Sequence, residues 1–249
     1  MIPAISVLFG LVVGSFLNVV IHRVPLGESV VRPSSYCPNC GAGIRPYDNV
    51  PLLSYLALRG RCRDCKARIP ARIPVVEGST GLLFGAAAYQ FGPDLRLAAA
   101  MVFIAALISL AGTDLEHRLL PNRIIVPATL AGLVLSILIN PGQWWIYPTS
   151  MLGVGGLLFA LALVYPGGMG MGDVKMGGML GAFLGPYAAL AVFTGALAGA
   201  GIGGVLIGNG KMRRQTPLPF GAFMAFGGGL SLFWGPDLWE TYLDAIGGI

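Results

Sequence analysis

Four cysteines and a few acids carry most of the chemistry open to this 249-residue chain. Cys37 and Cys40 form "CPNC", and Cys62 and Cys65 form "CRDC". Two such C-x-x-C pairs can place four thiolates tetrahedrally round one zinc ion. Residues 41–61, between the pairs, slightly exceed the usual spacing of two zinc knuckles, while the glycines just after Cys40 and before Cys62 suit knuckle turns. With four sulfurs as ligands, the metal would organise its loop and perform no reaction. Two disulfides, or one redox pair with a spare pair, are the competing readings. A cytoplasmic location disfavours disulfides.

The remaining options for catalysis are narrow. His22 and His117 are the only histidines, and neither H-E-x-x-H nor G-x-S-x-G occurs. That leaves carboxylates. Asp114 lies in "AGTDLEHRLLPN" and Asp173 in "GGMGMGDVKMGG". Acids at membrane depth are costly and usually face a protein interior or a water-filled cavity. Two carboxylates held close together cannot both ionise easily, so one keeps a proton. The pair can then activate water and protonate a leaving group, which is aspartyl-protease chemistry. Gly170 and Gly172 are expected to leave unhindered backbone beside Asp173 for an extended peptide. Lys175 is expected to point inward or to reach lipid phosphate. Plainer readings stand beside these. Asp114 could be solvated at the interface with Glu116, His117 and Arg118, and Asp173 could be a helix N-cap. Glu77 could touch the cysteine loop or a bound amine, or could be a helix N-terminal acid. Asn18 is expected to hydrogen-bond between helices, with His22 and Arg23 at the interface.

The elements that must position these residues are membrane helices. The chain is 55% hydrophobic and 11% charged, whereas a soluble domain is about 25% charged. The expected fold is an all-α polytopic membrane protein of about eight transmembrane helices with a small zinc-binding cytoplasmic loop domain. Apolar runs place the spans near residues 2–21, 75–91, 95–112, 124–139, 147–165, 174–185, 187–208 and 220–234. Pro186 divides the long run from Val174 to Gly208, and the tail Trp239–Ile246 either extends the last helix or lies at the interface. The first span lacks a preceding positive residue and is followed by "HRVP", as in an uncleaved anchor. With eight spans, every Lys and Arg except Arg96 falls on one side, including Lys211, Arg213 and Arg214. The positive-inside rule makes that side cytoplasmic, so the net charge of +5 reflects topology and not nucleic-acid binding. The chain divides into a first helix (1–21), a cytoplasmic zinc-binding domain (22–74) and a transmembrane domain (75–249) carrying both aspartates. The cysteine loop has few large apolar residues and needs a staple such as zinc.

The ordered set "GLVVGSFLNVVIHRVP", "RPSSYCPNC", "DNVPLLSYLALRGRCRDC", "TDLEHRLLPN", "GGMGMGDVK" and "PLPFGAFMA" resembles the prepilin leader peptidases, membrane aspartyl proteases of the G-x-G-D type. The resemblance covers nearly the whole chain. It implies a multi-pass protein of the bacterial inner membrane with its active site facing the cytoplasm. Such enzymes cut the basic leader from type IV prepilins and type II secretion pseudopilins after a glycine. Asp114 and Asp173 match the catalytic aspartates, and Cys37, Cys40, Cys62 and Cys65 match the zinc cysteines. Forms with the cysteine loop also methylate the new N-terminal amine, usually of phenylalanine, with S-adenosylmethionine. No G-x-G-x-x-G stands between a strand and a helix, as a soluble nucleotide-binding fold requires, so methylation rests on the resemblance alone. The implied partners are prepilin and pseudopilin substrates and the lipid bilayer, with no nucleic acid. The alternatives are proteolysis only, an intramembrane protease for other substrates, a proton- or ion-binding transporter, and a non-catalytic zinc-loop scaffold.

Overall fold

The computed structural model describes residues 1–165, 169–210, 218–245 and 247. Gly167 and Gly168 of the glycine run, together with Lys211, Arg213, Arg214 and Pro217, lie outside the described residues. Nine α-helices form among the described residues: α1 (Ile2–Arg23), α2 (Leu53–Ala57), α3 (Arg72–Phe91), α4 (Leu95–His117), α5 (Asn122–Ile139), α6 (Ile146–Val164), α7 (Met171–Leu184), α8 (Tyr187–Gly208) and α9 (Phe220–Ala245). Apart from two isolated bridges, Tyr36 with Gly43 and Arg61 with Arg68, no β-structure occurs among them.

The all-helical membrane fold expected from composition is present. Five helices, α1, α4, α5, α6 and α8, are long and apolar enough to cross a bilayer. Helices α3, α7 and α9 occupy the other three expected spans. Pro186 separates α7 from α8, where Gly185 turns the chain at φ +57°. The last helix continues through Pro236 to Ala245, so the tail extends it. Helix α4 also runs past its expected end, which places Asp114 inside its last turn.

Two compact units make up the chain, residues 1–97 and 98–249. In the first, α1 packs along α3 through glycines. A Cβ at Gly10 would lie 2.8 Å from the Gly81 Cα, and one at Gly14 would lie 2.7 Å from the Glu77 Cα. Backbones this close exclude any larger residue and maximise dispersion contact, which drives helix association where no hydrophobic effect operates. Leu8, Phe9 and Phe16 remain on the exposed face of α1, as lipid-facing side chains do.

The second unit is built round α7. This 14-residue helix packs against α5, α6, α8 and α9, and Met176, Met179 and Leu180 are fully buried. At ~1.5 Å per residue it is shorter than the ~30 Å hydrocarbon layer. Enclosure by other helices, rather than lipid, covers its apolar surface. Gly181 permits this, since its Cβ would lie 2.5 Å from the Met151 backbone nitrogen of α6. Leu107 and Leu110 of α4 and Met224 of α9 join the same core. Phe103 of α4 stacks on Phe183 of α7 with ring centroids 4.6 Å apart. Both aspartates therefore rise from packed helices, near the ends where those helices meet loops.

Candidate active site and metal centre

Asp114 is buried, 6% exposed, in the last turn of α4. Its Oδ2 accepts the Ala222 N–H at 3.0 Å, in the first turn of α9. Unpaired N–H groups at a helix start are natural donors to a carboxylate. A bond to a charged group is worth about 1.5–3 kcal/mol. Asp114 is thus fixed by the protein, and the interfacial, solvated reading fails.

Asp173 is the third residue of α7 and is half-buried. Its Oδ2 accepts the Gly170 N–H at 3.1 Å, while its own N–H donates to the Gly170 carbonyl at 3.0 Å. Gly170, extended at φ −80° and ψ 149°, is the N-cap, and Asp173 reaches back over it as the third residue of a capping box does. Asp114 and Asp173 thus share one kind of support. Each is held by backbone N–H at a helix start, Asp114 by α9 and Asp173 by α7.

Leu120 wedges between these two helix starts. A Cβ at Gly172 would lie 2.8 Å from the Leu120 Cβ, and one at Gly221 would lie 2.8 Å from its Cδ2 and 3.0 Å from the Asp114 Oδ2. The role expected for Gly172 therefore changes. The space beside it is taken by the chain's own Leu120, and the glycine serves close packing at the acid. Lys175 also departs from both expectations, because its Nζ donates to the Asn122 Oδ1 at 3.0 Å across to the start of α5. Leu120 lies in "TDLEHRLLPN" and Gly221 and Ala222 in "PLPFGAFMA", both part of the resemblance, but neither stretch assigned them a role. Their link to Asp114 is tertiary, across 108 positions in the case of Ala222.

The cysteine loop lies in the first unit. The sulfurs of Cys37, Cys40, Cys62 and Cys65 all fall within 4.8 Å of one another, and Cys37 and Cys65 are 3.8 Å apart. Four sulfurs at ~2.3 Å from a tetrahedral zinc are ~3.8 Å apart, so the donor set fits a metal of that kind. All four thiols are free.

Two equivalent turns build the cluster. The Cys37 N–H donates to the Ala42 carbonyl at 2.9 Å, and the Cys62 N–H donates to the Ala67 carbonyl at 2.8 Å. Gly41 (φ +71°) and Lys66 (φ +58°) take the left-handed position after each second cysteine. These partners recur 25 positions apart, and "CPNCGAGI" against "CRDCKARI" carries the repeat in the sequence. Sequence reading missed this repeat although the signal was there. Arg63 ties the second turn to the segment 46–48 with bonds of 2.7 and 2.6 Å to Asp48, and it stacks 5.5 Å from the Tyr47 ring. Arg63 holds the Asp48 carboxyl below its ordinary range. Bonds from the Ala67 N–H and Asn39 pull the Cys65 thiol down to about 6. The thiolate is the form that binds metal.

Three residues near this loop had expected roles, and Arg23 departs from its own. Arg23 is buried rather than interfacial, donating to the carbonyls of Ser29 at 3.1 Å and Pro33 at 2.8 Å. Glu77 touches the cysteine loop, one of its expected roles, through its Oε2, which accepts the Leu52 N–H at 2.9 Å; as the sixth residue of α3 it is too deep for a helix N-terminal acid. Asn18 bridges helices as expected, donating to the Ile73 carbonyl at 3.1 Å.

Residues 8–91 match the profile described as the bacterial peptidase A24 N-terminal domain, and residues 101–205 match the type IV leader peptidase family. The second match contains both aspartates. Proteins called prepilin leader peptidase/N-methyltransferase are similar over nearly the full length. The one from Burkholderia pseudomallei (strain 1026b) is 38% identical over 93% of this chain and 85% of its own. That from Pseudomonas aeruginosa is 36% identical over 97% and 93%. That from Bacillus subtilis is 36% identical over 96% and 97%. No solved structure matches the chain.

Proposed function

Because this chain belongs to the type IV leader peptidase family, we propose that it cleaves prepilin leaders with Asp114 and Asp173 and then methylates the freed amine. The carrying observation is that both carboxyl groups accept backbone N–H at helix starts, Asp114 from α9 and Asp173 from α7, and that Leu120 packs against a glycine of each start. The substrates are type IV prepilins and type II secretion pseudopilins, cut after a glycine on the cytoplasmic side of the inner membrane.

The mechanism follows from the pair. One carboxylate takes a proton from water, and that water attacks the scissile carbonyl carbon. The other carboxyl, protonated, stabilises the developing oxyanion and gives its proton as the amine leaves. The backbone donors at Gly170 and Ala222 keep each carboxyl in place while its proton comes and goes. A basic leader is attracted to the acidic pair, and its cut site lies where the substrate's own membrane helix begins.

We further propose that Cys37, Cys40, Cys62 and Cys65 hold one structural zinc, supported by sulfur separations that suit a tetrahedral ion. The zinc folds the loop and takes no part in bond cleavage. S-adenosylmethionine is the proposed methyl donor, following the name of the relatives.

One incubation tests the reading. Detergent-purified enzyme is mixed with a prepilin bearing a basic leader, a glycine and a following phenylalanine, together with labelled S-adenosylmethionine. The expected product starts at the phenylalanine and carries one methyl group by mass spectrometry. A cleaved, unlabelled product restricts the function to proteolysis. An intact prepilin after incubation with folded enzyme contradicts the peptidase reading.

A further inference from the structure

We propose that Glu77, with Ser15 and Asn18, forms the binding site for the α-amine that leader cleavage creates, and that the Glu77 carboxylate takes the proton the amine loses. The inference rests on the methylation reading above.

Glu77 is only 5% exposed. It accepts the Leu52 N–H, with the Ser15 hydroxyl of α1 near its carboxylate, and among the described residues no cation is paired with it. An unpaired buried carboxylate costs several kcal/mol. A neutral amide could hold the Leu52 N–H equally well, so tethering alone does not account for the charge. Ionisable groups within membrane helices mark functional sites by default.

A second unmet group sits on α1, against the α3 turn that precedes Glu77. Asn18 is 8% exposed, and its amide N–H groups are spent on the Gly14 and Ile73 carbonyls. Its Oδ1 is buried and without a partner among the described residues. Ser15 and Asn18 are three apart on α1 and so share a face. Helical side chains lean towards the turn N-terminal to their own Cα, so the Glu77 carboxylate leans towards the Ile73 turn that Asn18 touches. Both unmet groups are acceptors, one of them charged. They suit a cation rich in N–H donors, which is an ammonium. A sulfonium methyl donor carries charge but no N–H.

Leu52 adds a third observation. It adopts φ +59° and ψ −47°, a rare conformation for a bulky residue, and donates to Glu77 from there. Its side chain also lies over Gly78, 3.9 Å from that residue's would-be Cβ. The loop segment leading into α2 is thereby pinned to Glu77 at a strained residue.

The chemistry balances. An α-ammonium with a pKa near ~8 is protonated at neutral pH and is not nucleophilic. Glu77 takes one proton, which frees the nitrogen lone pair. The N–C bond to the methyl group forms as the C–S bond breaks, and that electron pair stays on sulfur as a thioether. The product is a monomethylated ammonium and a protonated Glu77.

The test compares binding of two peptides with the mature pilin N-terminus, one with a free amine and one N-acetylated, to full-length enzyme without methyl donor. Wild type is expected to prefer the free amine at least tenfold. Glu77→Gln, which keeps an acceptor for the Leu52 N–H, is expected to abolish the preference and cut methylation about a hundredfold. Cleavage should stay within twofold and zinc content should not change. Ser15→Ala removes one hydroxyl and serves as the milder variant, with the preference expected to fall about threefold. A Glu77→Gln enzyme that keeps the preference, or that loses zinc and acetylated-peptide binding together, overturns the site. So does a wild type indifferent to acetylation. A wild type that prefers the free amine but never methylates refutes the methylation reading and leaves the amine site standing.

Discussion

Asp114 and Asp173 are held by opposite means. Asp114 is carried by the end of one helix and docked on the start of another, whereas Asp173 caps the start of its own helix. Leu120 sets the spacing of those two starts, with glycine facing it on each side. Gly172→Ala therefore drives a methyl group into Leu120. Overpacking costs about 1–3 kcal/mol, and a misplacement of ~1 Å near the chemistry costs up to about a hundredfold. The variant is expected to lose tenfold to a hundredfold in kcat for prepilin cleavage, and Leu120→Gly in the same chain, which removes the Cβ that the new methyl group meets at 2.8 Å, should restore part of it. Equal loss in the single and double variants would mean that the glycine acts through something other than this contact. At this scale the sequence was only partly readable. Residue type and the G-x-G-D spacing picked out both acids. Nothing local could show that Ala222 grips Asp114, because that bond joins parts of the chain 108 positions apart. The choice of glycine for packing rather than for substrate access was equally hidden.

At the scale of the element, the two cysteine turns form a repeat that closes on itself only when four sulfurs meet. Residues 36–69 contain no helix longer than α2, and Tyr36, Val50, Leu53 and Leu56 stay exposed, so little apolar burial supports the loop. Structural zinc contributes about 10–16 kcal/mol in small domains and is expected to supply what burial does not. Elemental analysis should find one zinc per chain, and Cys65→Ser should release it to a chelator that leaves the wild type loaded. Amide exchange across residues 36–69 should then rise while exchange in α1 and α3 stays slow. Fast exchange in all three would show that the loop carries the helices, contrary to their glycine seam. The spans were legible because about 20 apolar residues per crossing is a strong signal. The true ends of α4 and α9 were not, since each runs on into polar residues that packing and helical geometry favour but hydropathy does not.

Taken as a whole molecule, the chain keeps its positive charge on one side of the expected eight-span layout, with Arg96 the exception. A cysteine replacing exposed Asp94 should react with an impermeant maleimide in intact cells, and one replacing exposed Arg123 should react only after lysis. The reverse pattern would invert the topology and take both aspartates away from a cytoplasmic leader. The account as a whole turns on the carboxylate pair. The decisive measurement is prepilin cleavage by purified wild type, Asp114→Asn and Asp173→Asn side by side, with thermal melting of each to confirm folding. Acid–base catalysis contributes about 10²–10⁴-fold, so each variant is expected to lose at least a hundredfold while remaining folded. Near-normal cleavage by either folded variant would contradict the account, because a dyad cannot work with one carboxyl group.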